Sequence, residues 1–156
     1  AELLGTKFGA AEWTIKLFSE EVIRSSVFFN LSMVLKKIEP TIREKANLGD
    51  WLVVSQGRSY GSRGWLTYVK NLADVQLETY ERRTVLLVDR ISGEEEVPSN
   101  VQAIILLNTE TSDHPDVLAH VSVRARNLKV LFVVLFDAEK AESIRKLVGD
   151  HIFLQS

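Results

Sequence analysis

The chain predicts an α/β domain preceded by a helical arm, on three observations. From Trp51 onward, short runs rich in β-branched and aliphatic residues are separated by Gly, Ser, Asn and Pro. A helical pattern interrupts the last two of these runs. Before Trp51 the apolar residues recur instead at three-to-four-residue spacing, which is the period of one helix face.

Taken in order, Ser19 is placed to cap a helix that opens with Glu20 and Glu21, whose charges suit its positive end. Val22 occupies the capping-box position, so the box is incomplete. Ile23, Val27, Leu31, Val34, Leu35 and Ile38 define the apolar face, and Lys36 and Lys37 suit a last turn. Pro40 is expected to end this helix or to begin a second, short one. The expected organisation is a helical arm or hinge over residues 1–48 and a sheet domain over 49–156. Its strands are "WLVVSQ", "GWLTYVK", "TVLLVDR", "VQAIILLN", "KVLFVVLF" and a final "HIFLQ". Between the last two, "AEKAESIRKLVGD" reads as a helix capped by Asp137. Ile144, Leu147 and Val148 form its apolar face, and Gly149 stands at the C′ position.

Composition narrows the function classes. Nineteen Lys and Arg against 21 Asp and Glu give a net charge of -2, with the signs interleaved, so no basic field exists for non-specific nucleic-acid binding. The absence of cysteine excludes disulfides and thiolate metal sites, and three scattered histidines do not make a zinc site. The longest uniformly apolar run, Val130 to Phe136, falls far short of the roughly 20 residues that span a bilayer, so a soluble protein is expected. The opening "AELLGTKFGAAEW" carries neither an initiator Met nor a signal segment, as expected of a cut inside a longer chain.

The chemistry concentrates in "DVLAHVSVRARN", residues 116–127. Val121, Val123 and Ala125 alternate as in a strand, whereas Leu118, Val121 and Ala125 fit a helix face equally well. In a helix from about Leu118, His120 lies in the first turn, where open N–H groups and the helix dipole favour a phosphoryl group. Arg124 follows one turn later with a forked guanidinium suited to transferring oxygens, and Asp116 can hold the other ring nitrogen protonated. Spacing alone leaves open a solvated helix whose valines are core. His114 and His151 read as structural or solvent-facing. "Gly93-Glu94-Glu95-Glu96" reads as a solvated acidic turn, or less well as a magnesium-attracting loop. The loop from Gly57 to Gly64, with Arg58 and Arg63, has anion-binding potential but lacks the phosphate-loop pattern, and an exposed hairpin is the plainer expectation.

"SGEEEVPSNVQAIIL" followed by "DHPDVLAHVSVRARNLKVLFVVLFD" closely resembles the central phosphohistidine region of the glucan, water dikinases, the plant starch-phosphorylating enzymes. "FSEEVIRSSVFFNLSMVLKKIEPTIREKANLGDW" is similar to the segment that precedes it, so the resemblance runs from about Leu17 onward. It implies a swivelling β/β/α phosphohistidine domain, with a helix beginning near His120. It also implies a reaction in three stages: the ATP β-phosphate passes to His120, the γ-phosphate to water, and the histidine then phosphorylates a glucosyl hydroxyl. Arg124 and Arg126 become phosphoryl stabilisers, Arg124 ahead of Arg126, and Asp116 an orienting group.

The resemblance further implies a plastid location, an ATP-grasp nucleotide-binding domain as partner and an α-glucan acceptor. ATP and magnesium belong to the full-length enzyme; none is expected to be bound by this chain, which is expected to be inactive alone. The sequence departs from the family at Ala119, where a hydroxyl residue is usual, and in "NTETSDHPD", which is longer than the usual approach to the histidine. Many members read CFATC where this chain has Leu131 to Leu135, so the disulfide of that motif is impossible here. The alternatives are a carrier domain of a phosphoenolpyruvate-using synthase or dikinase, against which the missing GG-x-[ST]-H context argues, and a non-catalytic interaction module.

Overall fold

The computed structural model describes residues 2–15, 27–59, 61–107 and 114–155. They form two compact units, Ala1–Glu39 and Pro40–Ser156. The first contains α1 (Glu2–Lys7), with Gly5 lying against Ile15 where a β-carbon would stand 2.6 Å from its side chain. Sequence periodicity did not anticipate this helix, because Gly5 interrupts its short pattern. The expected cap at Ser19, with Glu20, Glu21, Val22 and Ile23, lies outside the described residues.

Helix α2 runs Val27–Ala46 and passes through Pro40, which was expected to end or restart it. Proline at that position removes one rung of the backbone ladder, but its fixed φ is itself helical, so the helix continues at the cost of that bond. The basic last turn is therefore Arg43 and Lys45 rather than Lys36 and Lys37. In the first unit Val27, Leu31, Val34, Leu35 and Ile38 keep large exposed areas, so the apolar stripe read from the sequence is present as an exposed face. In the second unit Arg43 donates to the carbonyls of Gly49 and Trp51 at 2.8 and 2.9 Å and lies over the Phe136 ring. Residues 40–48 thus belong with the sheet.

The strands are β1 (Trp51–Ser55), β2 (Ser62–Asn71), β3 (Thr79–Arg90), β4 (Ser99–Leu107), β5 (Leu131–Leu135) and β6 (His151–Leu154). They form one sheet in the order β1-β5-β4-β3-β2-β6. The four inner strands are parallel and both edges antiparallel. Parallel strands are covered on both faces, which is why "TVLLVDR", "AIILL" and "LFVVL" read as continuous apolar runs rather than alternating ones. The expected hairpin is absent, since three strands separate β1 from β2 in the sheet, and Ser62, Arg63 and Gly64 belong to β2 itself.

Two helices cover the faces, making a mixed α/β domain. Helix α3 (His120–Leu128) places Val121 and Ala125 on one face with Leu86, Val88, Ile104, Leu106, Phe132 and Val134. Helix α4 (Ala138–Arg145) sets Ala141, with Ile144 beside it, against Val85, Leu87, Ile105, Val133 and Leu135 on the other. Complete burial of a side chain such as Phe132 contributes about 1.5–3 kcal/mol, so this double-sided core dominates the stability. Asp137 caps α4 as the sequence indicates, its Oδ1 accepting from Lys140 N–H at 2.6 Å. The helix stops at Arg145, short of the expected extent: a run of turns follows, Leu147 and Val148 stay exposed, and Gly149 closes the turn at φ +97°. No described helix is long and apolar enough to cross a membrane.

Candidate functional site

The connection β4–α3–β5 joins parallel strands, so α3 begins at the carboxyl end of the sheet and runs back across it. The loop after β3 leaves the sheet at that same end. Adjacent parallel strands therefore bring the acidic segment Ser92–Glu96 and the start of α3 together.

That loop is built on a buried carboxylate. Glu95, expected to be solvated, is 5% exposed, and its two oxygens accept the N–H groups of Ser92 and Gly93 at 2.7 and 2.8 Å. Burial alone would push its carboxyl up, but these bonds outweigh it and hold the group below the usual carboxylate range. Gly93 takes φ +110°, and a β-carbon there would stand 3.3 Å from that of Ala119. This close approach lets the Gly93 carbonyl accept the Val121 N–H at 2.9 Å. The helix is thus partly capped by the loop, since Ala119 supplies no side-chain cap. One first-turn N–H expected to face a phosphoryl group is already occupied.

His120 is the first residue of α3, as the resemblance implies, and its imidazole Nε2 lies 2.7 Å from Glu96 Oε1. The other oxygen of the same carboxylate, Oε2, accepts from Arg124 Nε at 2.7 Å. Burial pushes the Glu96 carboxyl up, but His120 and Arg124 more than offset this and hold it low. A single carboxylate therefore bridges the imidazole and the guanidinium one turn apart. Gln76 Oε1 accepts a hydrogen bond from the Glu96 N–H at 3.3 Å, which anchors the backbone from which that carboxylate reaches.

Asp116 shapes the turn ahead of the helix. Its Oδ1 accepts the Leu118 N–H at 2.7 Å, and its carbonyl accepts the Ser122 hydroxyl at 2.7 Å. The group on Nε2 of His120 is Glu96, and Asp116 organises the approach to it. Arg126, two positions beyond Arg124, turns to another side of α3 and donates to the Val117 carbonyl. Desolvation lowers its guanidinium pKa, an effect Asp116 opposes, and the group stays charged. The structure thus joins His120 to Arg124 and uses Asp116 and Arg126 to brace residues 116–122. His114 is buried with its edge toward Phe136, and the exposed His151 meets Trp65 edge to face. Residues 108–113 of the lengthened loop lie outside the described residues. Among the described residues no group of three or more His, Asp or Glu side chains is placed to hold a metal ion.

The sequence offered Glu96 only as part of an acidic turn, solvated or magnesium-attracting, and not as the partner of His120. The signal lay in topology: a loop after one inner parallel strand faces the helix that follows the next.

Residues 50–156 match the family model for the alpha-glucan water dikinase phosphohistidine-like domain. The chain is 42% identical over 155 residues to a chloroplastic alpha-glucan water dikinase of Solanum tuberosum and 38% identical to one of Citrus reticulata, covering 99% of this chain and 10% of each relative. It is 35% identical to alpha-glucan water dikinase 2 of Arabidopsis thaliana, over 100% of this chain and 12% of that protein. The chain thus spans about a tenth of the length of these relatives. No solved structure matches.

Proposed function

Because this chain belongs to the alpha-glucan water dikinase family through its phosphohistidine-like domain, we propose that it is the phosphoryl carrier of such a dikinase, with His120 as covalent acceptor. The observation that carries this reading is the convergence of His120 and Arg124 on one anionic group at the start of α3. An imidazole with a guanidinium beside it, at the positive end of a helix, is suited to hold a dianionic phosphoryl group.

In the proposed reaction the β-phosphorus of ATP is transferred to His120 and the γ-phosphate to water, leaving AMP and orthophosphate. The histidine then gives its phosphoryl group to a glucosyl hydroxyl, whose proton is released. ATP and magnesium are held by an ATP-grasp domain elsewhere in the protein, and the acceptor is a starch-like α-glucan in a plastid. The sheet domain is the part that swings between the two sites, with the helical segment before it as the hinge. Transfer of this kind depends mainly on positioning and charge, which is what Arg124 and the loop-capped helix supply.

In the full-length dikinase, His120→Asn is expected to abolish glucan phosphorylation while leaving ATP binding intact. Undiminished phosphorylation by that variant would remove His120 from the reaction.

A further inference from the structure

The carboxylate of Glu96 bridges the two side chains on which the proposed phosphoryl transfer depends. Its two oxygens meet Nε2 of His120 and Nε of Arg124, each at 2.7 Å. A phosphoryl group on Nε2 would present its own oxygens to the same guanidinium, and the two anions cannot share the place. We propose that Glu96 is a positioning residue that stands in for the phosphoryl group: it holds Nε2 and Arg124 in the uncharged carrier and gives both up when His120 is charged. This rests on His120 being the acceptor.

Three features of the loop suit that exchange. Glu95, rather than Glu96, holds the backbone turn, through the N–H groups of Ser92 and Gly93. The Gly93 carbonyl fixes the loop to α3 at Val121 N–H, independently of Glu96. The Glu96 side chain itself is 39% exposed, so it can swing into solvent without unmaking the loop. Displacement then moves one side chain and leaves the scaffold in place.

The contact also dictates the ring's tautomer. An ionised carboxylate only accepts, so Nε2 must carry the proton while Glu96 is bound, and its lone pair is not available. Charging requires Glu96 to leave and the ring proton to pass through water from Nε2 to Nδ1. The Nε2 lone pair then forms the N–P bond as the P–O bond of the donor breaks, its electron pair departing on the donor oxygen. Glu96 is therefore a lock on the resting ring as well as its support. It also repels an approaching phosphate, and Arg124 is released to neutralise that phosphate only when Glu96 swings out.

The test is the ring tautomer of His120, read by nitrogen-15 NMR on this 156-residue chain in the wild type and in Glu96→Gln. The wild type is expected to carry the proton on Nε2. The variant's amide can donate to Nε2 while its oxygen still faces Arg124, so the proton is expected on Nδ1. Glu94→Gln, on the exposed neighbour, is expected to keep the wild-type tautomer. Charging of Glu96→Gln by the active nucleotide domain with ATP and magnesium is expected to be roughly tenfold faster, the rate equivalent of losing one charge-assisted hydrogen bond. An identical tautomer in wild type and Glu96→Gln, with His120 still phosphorylated, overturns the role of Glu96 and leaves the carrier reading standing. A switched tautomer with His120 never phosphorylated overturns both.

Discussion

The Gly93 carbonyl accepts the Val121 N–H at 2.9 Å, and this one bond sets the acidic loop against the helix that carries His120. The bond requires the loop backbone to come close to Ala119, and Gly93 does so at φ +110°. Gly93→Ala adds both a left-handed strain and a methyl 3.3 Å from the Ala119 side chain. It is expected to cost about 1–3 kcal/mol in urea unfolding and to weaken the Glu96–His120 contact.

Glu95 is the loop's internal support, and its carboxyl is held below the usual range in the folded state. A lowered folded value means that its contribution is complete above the unfolded value of about 4.3 and is lost as pH falls through the folded one. Stability measured against pH is therefore expected to drop in that acid window. Glu95→Gln, which cannot accept both N–H groups, is expected to cost about 1–3 kcal/mol at neutral pH and to flatten the acid drop.

Arg124 and Arg126 differ in what they touch, and their variants are expected to separate accordingly. Arg124→Ala removes the cation beside Nε2 and is expected to slow charging of His120 by about 10²-fold with little loss of stability. Arg126→Ala removes a donor to the Val117 carbonyl and is expected to loosen residues 116–119, costing about 0.5–1.5 kcal/mol, with a smaller effect on charging. Urea unfolding and phosphohistidine formation, measured on both variants, check the separation.

Arg43 binds two carbonyls and the Phe136 ring from the last turn of α2. Arg43→Ala is expected to destabilise the sheet domain by about 1–2 kcal/mol, read as a lower denaturation midpoint. His120 charging is expected to be unaffected once folding is accounted for.

Much of this architecture was legible in the chain. Each of the six strands follows an apolar run, and the Asp137 cap of α4 follows from a single residue type at one position. The helix at His120 was not legible from periodicity, because Val121, Val123 and Ala125 satisfy both periods; the family resemblance placed it. The extent of α2 past Pro40 escaped because a proline's local cost was outweighed by the helix on either side. The partner of His120 escaped for a different reason. Glu96 lies 24 positions away, and only the parallel pairing of β3 with β4 brings its loop to α3. Composition made three consecutive glutamates look solvated, whereas Glu95 is buried by its bonds to the loop backbone.

The carrier role of His120 is tested most directly by mass spectrometry under alkaline conditions, which preserve phosphohistidine. The chain is first mixed with ATP, magnesium and a demonstrably active nucleotide domain of the same dikinase. One phosphoryl group located on His120, derived from the β-position of ATP, is the expected result. An unmodified His120 alongside an active partner would contradict the account.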